Sequence, residues 1–202
     1  MNIKAVTGML GSNTFIVEKN NTVIIIDAGA TVQDVQKALG TKKPMAVLLT
    51  HEHYDHVINA AGYCDAFGCP VYGHAATVAE LISGELNGFL NPFGDVPATP
   101  SILRELEIGA TQIGSINIEV IGCEGHSAGS IIFKIDDTIF TGDVLFKQGI
   151  GRTDLHENGP ELTKITLQNL LNVTFKTAYH GHGPSSDYSA QQKNIRDYIN
   201  LL

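Results

Sequence analysis

The chain has 202 residues, of which 43% are hydrophobic and 17% are charged, and its formal net charge is −8 at pH 7. This length predicts a single domain over residues 1–202 with a sizeable core, and so low a charged fraction argues against a disordered chain. Because an anionic surface repels phosphate backbones, we do not expect nucleic acid as a partner.

The lack of a targeting signal and the small number of cysteines predict a cytoplasmic protein. The N-terminus lacks the apolar segment of a signal peptide, and apolar runs such as residues 23–26 are far shorter than the roughly 20 residues of a membrane span. The three cysteines, Cys64, Cys69 and Cys123, do not have zinc-knuckle spacing, and their small odd number is typical of reduced cytosolic thiols. We therefore expect a cytoplasmic location and no membrane partner.

Strand-like segments dominate the first third of the chain. Residues 14–18 and 23–27 flank a turn-rich connection and predict a hairpin, whose second strand is apolar without alternation and so buried on both faces. Residues 31–39 have the apolar spacing of a helix, which Gly40 ends. Residues 45–49 predict another buried strand, and it ends where a cluster of histidines begins.

The rest of the chain alternates between helices and strands. Its patterns predict helices over 57–66, 77–82, 160–171 and 187–201, and strands over 71–72, 116–121, 130–135, 138–141 and 177–179. Residues 84–100 are an irregular insert, which we expect to form a cleft wall, a homodimer contact or a surface loop. This alternation in two halves predicts a layered α/β fold with two sheets inside and helices outside.

Four potential metal ligands occur within residues 51–56. His51 and His53 are two residues apart at a strand end, so their side chains leave on the same side. Asp55 and His56 then begin the next helix and point in different directions, which suits a second ion. Imidazole and carboxylate ligands suit Zn²⁺, Fe²⁺ or Mn²⁺, so the segment predicts a metal site.

Further candidate ligands follow three other predicted strands, in glycine-rich loops that let side chains reach a shared edge of the sheets. These candidates are His126, Asp143 and His182. His180 is a rival of His182 by chemistry alone, and the Gly-His-Gly context favours His182.

With these motifs, the sequence resembles the metallo-β-lactamase superfamily from Asp27 to Pro184. The superfamily signature His-x-His-x-Asp-His corresponds to residues 51–56, and Asp27-Ala28-Gly29 resembles its first motif. Segments 125–130, 141–146 and 149–154 are similar to the glyoxalase II branch, the hydroxyacylglutathione hydrolase-like proteins. The resemblance implies a four-layer αββα sandwich with a dinuclear metal site between the sheets, and a structural role for Asp27.

The resemblance also implies which residues hold the two divalent ions, for which zinc is the first expectation and iron or manganese the alternatives. The first ion is assigned to three histidines, the second to three mixed ligands, and one carboxylate bridges them. These ligands are, in that order, His51, His53 and His126; Asp55, His56 and His182; and Asp143.

The implied activity is that of a metal-dependent thioesterase acting on a small-molecule substrate through a hydroxide that bridges the ions. A thioester suits this site because a thiol, with a pKa of about 8.5, leaves without a strong general acid. Asp55 and Asp143 are the candidate catalytic residues, since either carries the leftover proton. Arg152 occupies the position of the basic residue that contacts glutathione in the family, which makes it the candidate substrate-binding residue. An ion pair with nearby Asp154 is the alternative role of Arg152.

Several other activities occur on the same fold. The main alternative is a persulfide dioxygenase with one iron at His51, His126 and Asp143. The lack of an export signal disfavours a β-lactamase, and the acidic balance disfavours a nuclease. A flavodiiron-type reductase is disfavoured, because that branch has Glu at the position of His53. A non-catalytic metal-binding protein is disfavoured because every expected ligand is present.

Overall fold

A computed structural model of the chain describes residues 1–84, 96–155 and 157–202. Most of the insert expected at 84–100 lies outside the described residues, so its assignment to a cleft wall, a homodimer contact or a surface loop stays a prediction. No helix within the described ranges is both long and apolar enough to span a membrane.

The first sheet has six strands, and their spatial order follows the sequence. The first three pair antiparallel, whereas the third to the sixth pair parallel, so the carboxyl ends of those four meet at one edge. The predicted hairpin is confirmed, with Phe15 opposite Ile26. The strands are β1 (Asn2–Thr7), β2 (Asn13–Lys19), β3 (Thr22–Ile26), β4 (Ala46–Leu48), β5 (Val71–Gly73) and β6 (Leu103–Glu105).

The second sheet also has six strands, in the order β14-β13-β10-β9-β8-β7. Only β10 and β13 pair parallel; the other neighbours are antiparallel. The strands are β7 (Gly109–Ile113), β8 (Ile116–Gly122), β9 (Ile131–Ile135), β10 (Thr138–Phe140), β13 (Thr177–Tyr179) and β14 (Ser186–Asp187). Between β10 and β13 the chain forms a small hairpin of β11 (Leu145–Phe146) and β12 (Gly149–Ile150).

Helices cover the outer faces of the two sheets. The side chain of Thr31 accepts a hydrogen bond from Asp34 N at the start of α1, and Gly40 ends that helix with a φ of 65°. The helices are α1 (Val32–Leu39), α2 (Tyr54–Val57), α3 (Ala60–Phe67), α4 (Ala75–Ser83), α5 (Gly159–Leu170) and α6 (Tyr188–Ile199), with a 3₁₀ turn at Met9–Gly11.

The helix predicted over 57–66 corresponds to α3, which begins at Ala60, and Val57 belongs instead to the preceding single turn, α2. Asn59 interrupts the helical ladder, because its backbone N–H donates to Ala28 O at 3.0 Å and its side-chain amide donates to Gly29 O at 3.2 Å. A contact with the loop after β3 therefore ends α2 after a single turn, directly behind His56.

Three buried layers show why the chain stacks as helix, sheet, sheet and helix. Ile24 and Ile26 of β3 pack between the sheets with Phe133, whereas Ile25 faces the opposite way, against Val35 of α1. A third layer packs α5 and α6 against the second sheet. The apolar run of β3 is thus buried on both faces, as predicted, and the αββα architecture is confirmed.

Several short or edge strands have no sequence pattern that predicts them. β1 and β7 are edge strands whose residues are mostly exposed or half-buried, so they carry little apolar alternation. β6, β11, β12 and β14 have only two or three residues each. Such strands depend on pairing with a neighbour rather than on a local pattern.

Candidate metal centre

The candidate site lies at one edge of the sandwich, in loops that leave strands of both sheets. All seven side chains proposed as ligands come together there. Their ligand atoms form three groups, within each of which all atoms lie within 4.8 Å of one another. These groups are His51, His53 and His126; His51, His56 and Asp143; and Asp55, His56 and His182. We call the first group the histidine triad and the third the mixed triad.

The histidine triad is buried and tightly packed. Its ring centroids are separated by 4.6 Å (His51–His53), 5.1 Å (His51–His126) and 4.5 Å (His53–His126). Nδ1 of His51 lies 3.0 Å from Thr50 Oγ1, and Nδ1 of His126 donates to the backbone oxygen of Arg152 at 2.9 Å. These contacts orient the Nε2 atoms of both rings into the centre, where neither has a hydrogen-bond partner among the described residues.

The mixed triad, in contrast, makes short contacts among its own members. Nε2 of His182 lies 3.1 Å from Asp55 Oδ2, and Nε2 of His56 lies 3.6 Å from the same oxygen. The two Nε2 atoms are 3.3 Å apart. His56 is fully buried, whereas the side chain of His182 is 30% exposed.

Asp143 lies between the two triads. Its Oδ1 is 3.4 Å from Nε2 of His56, and its Oδ2 is 3.8 Å from Nε2 of His126 and 3.5 Å from Nε2 of His182. One carboxylate thus reaches histidines of both triads, which is the position that a bridging ligand needs.

Asp27 braces the site from below. Its carboxylate accepts hydrogen bonds from Thr50 N at 2.7 Å and from the Thr50 hydroxyl, and its Oδ2 lies 2.9 Å from Nδ1 of His56. The residue adopts a φ of 61°, in the left-handed region that Asp tolerates better than most residues. Asp27 belongs to none of the three ligand groups and holds His56 in place instead.

Burial and neighbouring charges set opposite protonation tendencies in the two triads. Burial lowers the pKa of His53 to about 3, and burial together with the neighbouring histidines holds the pKa of His51 well below its usual value. Burial also opposes the charged form of His56, but Asp143 and Asp27 outweigh it and raise its pKa. The pKa of Asp143 is lowered, since the surrounding histidines outweigh its burial.

These residues fit divalent metal ions. Buried imidazoles that remain neutral offer lone pairs, and ionised carboxylates offer the charge that an ion requires. The unpartnered Nε2 atoms of His51 and His126, together with Asp143 Oδ1, are buried polar atoms that gain a partner when an ion binds.

Comparison with known proteins agrees with this geometry. The family model described as the Metallo-beta-lactamase superfamily matches residues 7–182. The chain belongs to the metallo-beta-lactamase superfamily. It is 31% identical to the probable metallo-hydrolase YqgX of Bacillus subtilis over 192 residues, which cover 92% of this chain and 91% of that protein. A probable metallo-hydrolase of Streptococcus pyogenes is 32% identical over 207 residues, 97% of this chain and 89% of that protein.

Solved structures of the superfamily superpose over nearly the whole chain. The crystal structure of the BLEG-1 B3 metallo-beta-lactamase gives a TM-score of 0.87 at 27% identity, covering 98% of this chain and 99% of that one. The protein TTHA1623, crystallised in a di-iron-bound form, gives 0.82 at 28% identity, covering 96% and 98%. Membership in this superfamily supports a metal-dependent hydrolase activity.

The structure distinguishes the two rival histidines, His180 and His182. His180 is fully buried, with Nδ1 at 2.9 Å from Thr141 Oγ1 and Nε2 at 2.8 Å from Ser186 Oγ. Burial lowers the pKa of His180 to about 4. Because both of its ring nitrogens are engaged, His180 braces β10 against β14, and His182 is the one that lies in the mixed triad.

Two glycines permit the close approach of the ligand loops. A Cβ at Gly181 would overlap Asp143 Oδ1, and a Cβ at Gly151 would overlap the backbone oxygen of Asp143 and lie 2.6 Å from Nδ1 of His126. Both positions therefore require glycine for space around the site rather than for an unusual φ.

Glu52 is a buried residue of the motif that received no role from the sequence. One oxygen of its carboxylate accepts from Thr77 Oγ1 at 3.1 Å, and the other accepts from Gly129 N at 3.2 Å. It thereby ties the loop that carries His51 and His53 to the loop that follows His126. The sequence signal for this structural role was the position of Glu52 between His51 and His53. At a strand end, successive side chains point in opposite directions, so the side chain of Glu52 points away from the two ligands.

Arg152 contacts the site through its backbone oxygen, which accepts from His126. Its side chain binds Asp154 instead. Its guanidinium donates to both carboxylate oxygens of Asp154, at 3.0 Å and 2.7 Å. The alternative weighed for Arg152, an ion pair with Asp154, is therefore present, and the side chains involved are 49% and 66% exposed.

Proposed function

We propose that this metallo-hydrolase is a glyoxalase II-like thioesterase that holds two divalent ions, with zinc as the first candidate. The observation that carries the proposal is the pairing of two ligand triads through the carboxylate of Asp143. In this proposal the histidine triad holds one ion, the mixed triad holds the other, and Asp143 bridges them. The di-iron-bound form of a protein with 28% identity supports a dinuclear site and makes iron a second candidate.

The chemistry proposed for the ions is that of a two-metal hydrolase. When bound, such ions polarise the substrate carbonyl and lower the pKa of a water held between them. The protein fixes the positions of the ligands through Thr50, Asp27 and the backbone of Arg152, so little reorganisation is needed during the reaction.

The carboxylates of Asp55 and Asp143 are the proposed proton carriers. Both have lowered pKa values, because contacts with His56 and His182 outweigh their burial, so both carboxylates are ionised. In the hydrolysis, the water oxygen joins the acyl carbon, the C–S bond breaks, and a carboxylate oxygen takes the water proton. The sulfur leaves as a thiolate, which needs no strong acid.

A second candidate is the hydrolysis of β-lactams. It is favoured by the 27% identity to a protein named as a B3 metallo-beta-lactamase, over nearly the full length of both chains. Its leaving group is an amine, which requires a proton from the protein, so the two candidates differ in their need for a general acid.

The experiment combines metal analysis with substrate panels. We expect about two equivalents of metal per chain and the release of thiol from a thioester panel, measured with a chromogenic thiol reagent. Asp143→Asn is expected to lower turnover by about 10²-fold or more, whereas Asp137→Asn, a matched change at an exposed ion pair with Lys176, is expected to leave turnover intact.

The outcomes separate the candidates. Turnover of β-lactams without thioester turnover would favour the second candidate. One equivalent of iron alone, with oxygen consumption in the presence of a persulfide, would replace both with the dioxygenase alternative.

A further inference from the structure

A groove begins at the exposed side of the mixed triad. It has a volume of about 500 Å³ and is lined by two segments of the chain: Phe146, Lys147 and Gln148, and His182, Gly183 and Pro184. The ring centroid of Phe146 is 6.1 Å from that of His182, edge to face. The groove therefore joins a proposed metal ligand to apolar surface and then to a lysine.

The part of the groove that carries Lys147 is a turn held by side chains of α6. Lys147 and Gln148 are the two residues that connect β11 and β12. Beneath the turn, the side chain of Asn194 accepts from Gly149 N at 2.9 Å and donates to Gly149 O at 2.8 Å. Gln191 donates to Phe146 O at 2.7 Å. Helix α6 thus fixes the backbone that presents Lys147, which reduces the entropy lost when a ligand binds.

Lys147 differs from the neighbouring cations in having no carboxylate partner. Within residues 1–84, 96–155 and 157–202, its ammonium forms no ion pair, whereas Arg152 pairs with Asp154 and Lys193 pairs with Asp197. Its charge is felt at Asp187, whose pKa is lowered first by hydrogen bonds and last by Lys147. Lys147 and Gln148 also line a second depression of about 410 Å³, so this cation stands between two open cavities.

We propose that this groove binds an anionic arm of the thioester substrate and that Lys147 is the residue that selects for its charge. The arm runs from the metal centre along Phe146 and Pro184, and its terminal carboxylate or phosphate meets the ammonium of Lys147. This inference rests on the proposed thioesterase function and names the substrate class of the same site.

The charge pattern favours Lys147 over Arg152 for this role. The guanidinium of Arg152 already has both of its parallel donors on Asp154, and a substrate anion would have to displace that carboxylate. In the described ranges of the chain, Lys147 has no paired carboxylate that a substrate would have to displace. The selection of anionic substrates is therefore expected to depend on Lys147 more than on the basic position that the family resemblance indicates.

The kinetic test uses matched thioester pairs that differ only in a terminal carboxylate or its methyl ester, with the terminus on the acyl arm in one pair and on the thiol arm in another. The readout is the ratio of kcat/KM for the anionic member to that for the neutral member. In Lys147→Gln we expect this ratio to fall about three- to tenfold, through KM, for the pair whose arm lies in the groove.

Variants of other cations serve as controls. Lys147→Glu is expected to lower the ratio further, because it replaces attraction by repulsion. Lys176→Gln removes a cation that lies at the opposite end of β13 and pairs with Asp137, and is expected to leave the ratio unchanged. A ratio that is unchanged in both Lys147 variants for both pairs, or that falls only in Arg152→Gln, overturns the proposal.

A binding experiment separates this inference from the proposed function. The probe is a thioether analogue that cannot be hydrolysed and carries a terminal carboxylate, titrated calorimetrically into the metal-loaded protein, with a phosphate-terminated analogue beside it. Binding that weakens about three- to tenfold in Lys147→Gln supports the groove even if no thioester is turned over. Equal affinity of both proteins for both analogues overturns it, whatever the activity, and the tighter analogue identifies the anion.

Discussion

The two ligand triads differ in how their side chains are arranged before an ion binds. The histidine triad is buried, carries no carboxylate and leaves the Nε2 atoms of His51 and His126 without hydrogen-bond partners in the described part of the chain. The mixed triad contains its own carboxylate, and Asp55 approaches His182 to 3.1 Å and His56 to 3.6 Å. An ion entering the first triad satisfies unpaired atoms, whereas an ion entering the second must replace contacts that already exist.

This difference shows how one site combines rigidity with access. The histidine triad is enclosed and held by backbone and hydroxyl contacts, so it is suited to retain an ion. The mixed triad opens through the half-exposed His182 onto the groove beside Phe146. We therefore expect substrate to approach from the mixed triad.

Removing the bridge should have the largest effect. Asp143→Asn keeps the shape of the side chain but loses the charge that faces histidines of both triads, so both ions should bind more weakly. We expect kcat/KM to fall by about 10²-fold to 10³-fold or more. Metal content measured on the same samples checks the cause, and two retained equivalents with full activity would contradict the bridging role.

A substitution that removes no ligand should still disrupt both triads. In Gly181→Ala the new Cβ would overlap Asp143 Oδ1 and lie 2.9 Å from His56 Cε1, so the carboxylate must move. We expect metal content and turnover to fall together. Gly122→Ala is the matched control, because its Cβ would meet only the side chain of Ile108, at 3.4 Å. A fully loaded, active Gly181→Ala protein would show that Asp143 does not need its observed position.

The order in which the ions bind tests the comparison directly. We expect the first equivalent added to metal-free protein to enter the histidine triad, since Nε2 of His51 and of His126 has no hydrogen-bond partner among the residues that the structure describes. His182→Ala should then retain about one tightly bound equivalent, and His53→Ala should lose it. His74→Ala, which alters only the cap of α4, should keep both. Metal titration by calorimetry decides, and the reverse order would refute the comparison.

The brace beneath the mixed triad should matter less than its ligands. Asp27→Asn weakens the contact that orients His56 from its Nδ1 side. We expect about a 10- to 100-fold loss of affinity for the ion of the mixed triad, with the other ion retained. Asp34→Asn, at the start of α1, is a matched control away from the site. Equal losses at both triads would contradict a brace that acts on His56, because Asp27 also contacts Thr50, which touches His51.

The smallest expected effect concerns stability. Glu52→Ala removes the acceptor of Gly129 N and of the Thr77 hydroxyl in a buried place. We expect the free energy of unfolding of the metal-free protein to fall by about 1–3 kcal/mol, measured by urea denaturation. Glu119→Ala, which breaks an exposed pair with Lys134, should cost about 0–1 kcal/mol. Equal costs for both variants would mean that Glu52 does not tie the two ligand loops together.

Much of this protein could be predicted because its signals are local. The hairpin of β2 and β3, the cap and stop of α1, and the layered α/β class all follow from apolar spacing and turn residues within short windows. The candidate ligands are also local signals, since few residue types bind metal ions and His51 and His53 share a strand end. The edge strands β1 and β7 were not predicted, because they depend on pairing with β2 and β8 and have little apolar alternation of their own.

The sequence by itself determined the fold class, the superfamily and the set of candidate metal ligands, because each depends on residue type and short-range spacing. Only the tertiary structure showed that both ring nitrogens of His180 are engaged, that Asn59 separates α2 from α3, and that, among the described residues, Arg152 has a carboxylate partner while Lys147 has none. Each of these depends on which residue from elsewhere in the fold a side chain or backbone group meets. Such contacts between residues that are distant in sequence cannot be predicted from spacing along the chain.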